Sequence, residues 1–355
     1  MPTLAKPIQF LHTALMSFTL SITVICSFIF SSPALAQQSK ALDEVRELAT
    51  WSQEYSAIMD DLFALFDIEQ LNVILEHAND LDTNGLESFE QAVKLWSENL
   101  DVNIKNIEKR TAKLAEPPKV TFSKKINKAN RDTKEQMETV VNSSIESALH
   151  LKTAFGRLAK GDDSGVIEIL IAQQDAAGIA IQAEIAMINS ALVAIPKSNP
   201  NRQFQLLILA DDKYALSELE LTKLSILEIS TLEARTPFIL EMEKQVETSK
   251  SLIAPGLAAI DKTNSALKRG MKFRPSTTKI NQDAIDILDT FTESFEIETG
   301  ITQTKSEAIK HYKLDEPVEE IDLLIEQTDA RYFELLERRF ALFDQRLAMI
   351  ANMGK

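Results

Sequence analysis

Apolar residues recur along this chain at steps of three and four. Phe89, Val93, Trp96, Leu100, Ile104, Ile107 and Leu114 form one such row, and steps of that size keep them on a single face of a 3.6-residue helix, with Glu, Lys, Asn and Asp on the flanks. The row predicts a half-buried helix. The same periodicity predicts helices over 42–78, 126–158, 167–195, 204–232, 238–267, 280–309 and 321–350, which makes eight in all.

The breaks between these rows carry helix stop and start chemistry. Asp80 to Gly85 is a polar turn, Pro117-Pro118 cannot continue a helix, and Gly161-Asp162-Asp163-Ser164-Gly165 joins a terminator to capping residues. Thr236-Pro237, Pro275-Ser276 and Asp315-Glu316-Pro317 open later helices, with proline tolerated in the first turn because its missing N–H is not needed there. Links this short force neighbouring helices to run antiparallel.

Sliding the chain against itself by 154 residues aligns both rows and breaks. Ile167-Glu168-Ile169-Leu170-Ile171 falls on Ile321-Asp322-Leu323-Leu324-Ile325, Lys125-Ile126-Asn127 on Lys279-Ile280-Asn281, and Gln173, Asp175 and Ala176 on Gln327, Asp329 and Ala330. One ungapped register predicts an internal duplication. The expected fold is all-α: two tandem four-helix-bundle-like units over 37–195 and 202–355, joined by a linker at 196–201 whose two prolines oppose one continuous helix.

Such a pair of four-helix halves resembles the imelysin-like periplasmic proteins in architecture. Their marker is His-x-x-Glu, and no histidine here has glutamate at the third place: His77 is followed by Ala78-Asn79-Asp80, His150 by Leu151-Lys152-Thr153 and His311 by Tyr312-Lys313-Leu314. The resemblance carries no site residue over.

The N-terminus breaks the amphipathic pattern. Lys6 precedes an uncharged run of 17 residues, Ala14 to Phe30, and Pro33-Ala34-Leu35-Ala36 ends it with the small residues a signal peptidase accepts. Residues 1–36 are expected to be a cleaved signal peptide, with Gln37 as the mature N-terminus and a periplasmic or secreted location. Ile25 stands before Cys26 where a lipoprotein signal needs a small residue. Cleavage removes the single cysteine, so no disulfide is expected in the mature chain.

Composition narrows the picture further. The formal net charge is −15, which repels phosphate backbones and anionic lipid and excludes nucleic acid as an expected partner. Nine glycines and eleven prolines in 355 residues are too few for a turn-rich β fold.

The strongest local motif is Asp80-Leu81-Asp82-Thr83-Asn84-Gly85, which has the D-x-D-x-N-G spacing of an EF-hand calcium loop. Asp80, Asp82, Asn84 and Glu90 are the candidate metal ligands, and calcium is the candidate ion. Position twelve, where a bidentate glutamate closes the shell, is Gln91. The competing reading is an Asp/Asn/Gly turn that caps the next helix.

Glu146 with His150 and Glu307 with His311 are four apart and read as surface ion pairs, because a di-iron bundle uses Glu-x-x-His. There is no haem attachment motif, nucleophile elbow, phosphate-binding glycine loop or H-E-x-x-H, so no enzyme and no catalytic residue is expected. The Ala- and Ile-rich stretch 178–195 is expected to be a central buried helix; the sharper alternative is a helix that unpacks and inserts into a membrane, as in pore-forming proteins. The expected function is an exported binding or scaffolding module that meets another protein through helix faces, with a calcium-binding protein as the alternative.

Overall fold

A computed structural model describes residues 39–66, 85–197, 200–230, 235–273 and 278–314, together with helical positions at 70, 71, 73, 74 and 77 and a set of positions between 331 and 349. Among the described residues every regular element is helical and no strand occurs. The long helices are α1 (Ser39–Phe63), α2 (Gly85–Thr111), α3 (Lys124–Leu158), α4 (Val166–Ala194), α5 (Pro200–Ser230), α6 (Arg235–Phe273) and α7 (Thr278–Leu314). Arg331, Leu335, Arg338, Arg339, Ala341 and Leu342 are also helical; they lie in the C-terminal stretch where the last helix is expected.

The expected helix over 42–78 does not run unbroken. α1 gives way to a 3-10 turn, Ala64–Phe66, which buries the adjacent Leu65 and Phe66 together. Asn103 of α2 donates its side-chain amide to the Ala64 carbonyl at 3.1 Å, meeting an acceptor that the ending helix leaves open. An unbroken apolar row therefore concealed a tightened turn.

Other boundaries follow from caps. The Ser123 hydroxyl accepts from the Ile126 amide at 3.2 Å and starts α3. Gly161 and Gly165 adopt left-handed φ values of 69° and 66°, which let the chain reverse between α3 and α4. The Pro117-Pro118 segment is fastened from both sides. Glu44 of α1 accepts from the Thr121 amide and hydroxyl at 2.7 Å each, Asn127 pairs with the Val120 amide and carbonyl, and the Trp51 indole donates to Ala115.

Consecutive helices pack antiparallel. Gln173 reaches Ser147 and Ser190 reaches Asp132 between α3 and α4, while Lys223 meets Asp175 and Arg202 donates to Leu192 and Ile195 between α4 and α5. One hydrophobic cluster runs from Tyr55, Trp96 and Phe155 through Ile188 and Ile208 to Ile253, Phe291, Phe295 and Leu335. The core thus crosses the break at 195–200 through α4 and α5. Gly178 sits at that crossing, where a Cβ would lie 3.8 Å from Leu216 and 4.0 Å from Leu219.

Candidate functional site

Helix α5 carries charge where its apolar row points inward. Leu207, Ile208, Ala215 and Leu219 face the core, yet Asp211, Asp212 and Glu218 are as deeply buried as they are. Asp211 and Glu218 are seven residues apart and share a face. Opposite them, α7 places Glu298 and Lys305 at the same spacing, both buried. Bare charges are too costly to bury unless each finds a partner, so the partners define the site.

At one level Lys305 forms an ion pair with Glu218, and Ser249 of α6 donates to the other Glu218 oxygen at 2.9 Å. Ser217 and Ser249 lie 2.8 Å apart, and Gln245 donates to the Ser217 hydroxyl at 2.7 Å and carbonyl at 3.0 Å. At the next level Arg339, fully buried, comes in from the C-terminal stretch. Its guanidinium donates to Asp211 at 3.3 Å, to the Thr290 hydroxyl at 3.0 Å and to the Thr290 carbonyl at 3.1 Å, and it lies 3.7 Å over the Phe291 ring.

Glu298 completes this level. Burial raises its carboxyl well above the ordinary carboxylate range; Asp211 raises it further by charge and by a shared hydrogen bond, and Arg339 only partly opposes them. Burial beside Asp211 thus favours the protonated form of Glu298.

A second polar knot lies on the other side of α5. Tyr55 of α1 donates to the Met187 sulfur at 3.6 Å, and burial, then Glu184 of α4, then Asp212 hold its phenol protonated far above the ordinary value. Along the α3–α4 seam, Gln174 donates to Gln173 at 2.5 Å and Gln173 to Ser147 at 2.8 Å.

Of the expected metal ligands, Asp80, Asp82 and Asn84 lie outside the described residues. Glu90 is exposed on α2, whose first residue is Gly85. Among the described residues no group of three or more His, Cys, Asp or Glu side chains is arranged to hold a metal ion. Glu146 and His150 stand 3.8 Å apart at the surface.

The buried ions were not among the expected site residues. Their signal was present: Asp211 and Glu218 continue the inward spacing of Ile208 and Ala215, and Glu298 and Lys305 that of Phe291 and Phe295. A charge on the inward row is the feature that marks them.

Two surface features remain. A cavity of about 270 Å³ lies between α1 and the end of α2, lined by Glu54, Ala57, Ile58, Arg110, Lys113 and Leu114. Arg110 is held there by the Ala57 carbonyl at 2.8 Å and Asp61 at 3.0 Å. On α4 the outward row carries exposed Glu168 and Asp175 in its first half, and from Ile179 onward the exposed positions Ile179, Gln182, Ala186, Asn189 and Val193 are uncharged, with Val193 72% exposed. α4 is also the one helix among the described residues long and apolar enough to cross a membrane. Compared with known proteins, the chain matches no family model, no curated protein and no solved structure.

Proposed function

We propose that this protein is an exported helical scaffold that binds another protein through the outward face of α4. The observation that carries the reading is the uncharged second half of the outward α4 row, Ile179, Gln182, Ala186, Asn189 and Val193, beyond the exposed Glu168 and Asp175, on a chain whose formal charge is −15. A helix facing only water gains from charge on that side, whereas a helix that meets a partner gains from its absence. The buried ionic levels tie α5 to α6 through Glu218 and Ser249, to α7 through Glu218 and Lys305, and to Arg339 through Asp211.

Export rests on residues 1–36, and the mature chain is taken to begin at Gln37. Duplication is supported by the helix limits: a shift of 154 carries Lys124, the start of α3, onto Thr278, the start of α7. In that register Asp211, Glu218, Glu298 and Lys305 correspond to Ala57, Ala64, Ser144 and Leu151. On this reading the two units diverged by placing charge in the core of the second.

The test is a photo-crosslinking residue at Ala186, with the same residue at exposed Glu247 of α6 as the reference, expressed in the native envelope. A discrete adduct from position 186 and none from 247 is the expected outcome. Equal adducts at both positions, or none at 186, would overturn the binding face. Mass spectrometry of the same sample is expected to find Gln37 first.

A further inference from the structure

The outward row of α4 reads nearly the same in both directions. Ile179 lies seven residues before Ala186 and Val193 seven after it; Gln182 lies four before and Asn189 three after. An apolar residue, an amide, an alanine, an amide and an apolar residue therefore follow one another from either end. The apolar ends stand well out in solvent, Ile179 at 47% and Val193 at 72% exposed. The charges that bound the row mirror each other too. Asp175 is eleven residues before Ala186 and Lys197 eleven after, both exposed and of opposite sign. Asp175 gives one oxygen to Lys223 at 3.0 Å, yet 58% of its side chain remains open.

A row in that order fits a copy of itself turned end for end. With two α4 helices antiparallel about a two-fold axis at Ala186, Ile179 meets the partner's Val193, Gln182 the partner's Asn189, and Asp175 the partner's Lys197. Each contact then occurs twice. Two carboxamides each carry donors and acceptors and can satisfy one another, whereas an amide set against an apolar side chain would be stranded. Alanine on the axis lets the two backbones come close. A parallel pairing would instead set Asp175 beside the partner's Asp175 and lose the opposite charges.

Net charge points to the same occupant. Two copies that each carry a formal −15 repel over most of their surface, and contact between them costs least where neither presents that charge. A basic partner needs no neutral ground and would be drawn to the acidic helices instead. We infer that the outward face of α4 is the seam of a two-fold homodimer, in which antiparallel α4 helices cross at Ala186. This rests on the reading of that face as a binding face and names its occupant as a second copy of the chain. From Ile179 to Val193 the row runs about 21 Å at 1.5 Å per residue. A single-helix strip of that length is smaller than a standard interface, so dilution should take the dimer apart.

Crosslinking and mass together test this on the full chain, with its one cysteine removed by Cys26→Ser. Chains carrying Ile179→Cys and Val193→Cys are treated with a short bismaleimide, separately and mixed. The mixture should yield a species of twice the chain mass, because positions 179 and 193 of opposite copies lie side by side. Two copies of position 179 stand about 21 Å apart along the seam and should not join. Sedimentation of the wild type over a dilution series should show dimer giving way to monomer. Ala186→Lys sets two ammonium groups on the axis and should raise the dissociation constant more than about tenfold with helicity unchanged, whereas Glu247→Lys on α6 should leave it in place. A wild type monomeric throughout, same-position crosslinks as strong as the mixed one, or an Ala186→Lys dimer as tight as the wild type would each overturn the homodimer. The cysteine pairs and the wild-type masses decide the matter even if Ala186→Lys does not fold. A monomeric wild type whose photo-crosslinker at 186 captures a different chain in the envelope would remove the second copy and leave the binding face standing; no adduct of any mass at 186 would remove both.

Discussion

At the scale of single residues, the second-half core is a place where removing one partner is worse than removing two. Lys305 and Glu218 are 5% and 1% exposed, so Lys305→Met leaves a carboxylate in the interior with a serine hydroxyl for company; such uncompensated charges cost about 3–5 kcal/mol. Urea unfolding of Lys305→Met should show that loss. The double variant Glu218→Leu with Lys305→Met should recover most of it, because no charge then remains to be desolvated. Losses that simply added would mean that the pair does not act as a unit. Glu298 gives the pH-dependent counterpart. Its folded value is raised, so its contribution is fully present below 4.5 and is lost as pH climbs toward the raised value. Glu298→Gln should therefore match the wild type in acid and exceed it in stability on the alkaline side, read as melting temperatures that diverge as pH rises. These residues were readable as inward positions but not as ions, because periodicity reports which side faces the core and says nothing of what a distant helix brings to meet it. Arg339 sits 128 residues from Asp211, and no local pattern links them.

At the scale of elements, rows and breaks in the sequence carried most of the information. Six of the expected helices begin and end within a few residues of those found, because prolines, glycines and a serine cap act locally. Ser123→Ala should cost about 1 kcal/mol by leaving an α3 amide without its acceptor, measurable as a lower urea midpoint at an unchanged slope. The 3-10 turn at Ala64–Phe66 escaped because its side chains satisfy the apolar row and the acceptor it frees is met by Asn103, 39 residues away. A close helix approach escaped as well. α6 contains Pro255-Gly256, and a Cβ at Gly256 would fall 2.2 Å from the Phe295 ring of α7. The proline gives up a backbone donor in mid-helix, and the glycine beside it admits the ring. Gly256→Ala should push α6 from α7 and cost about 1–3 kcal/mol, the usual range for overpacking, although alanine is the better helix former. A variant as stable as the wild type would show that Phe295 can turn aside freely.

At the scale of the whole molecule, the question is whether the two proposed four-helix units behave as two bodies. The proposed duplication and the prolines near 196–201 suggest separable units, but the apolar cluster runs without interruption from α1 to Leu335 across the α4–α5 seam. α4 has little choice: its Ala-rich inward side is wide, and Ala177, Ala180, Ile181, Ile188 and Leu192 are all buried. A fragment ending at 195 would strip α5 from that side and expose a surface no soluble helix carries alone. The two tryptophans make the point testable, because Trp51 and Trp96 lie in α1 and α2 and their fluorescence reports on the first half alone, whereas far-ultraviolet circular dichroism reports on every helix. A shared core predicts that the two signals trace one urea transition with the same midpoint. Two separated transitions, with fluorescence following one of them, would show that the halves unfold independently and that the α4–α5 seam is an interface between domains. Gly178 sharpens the comparison: Gly178→Ala fits at ordinary contact distance and should gain up to about 1 kcal/mol of helix propensity, while Gly178→Phe must force the seam apart and should split a single transition into two.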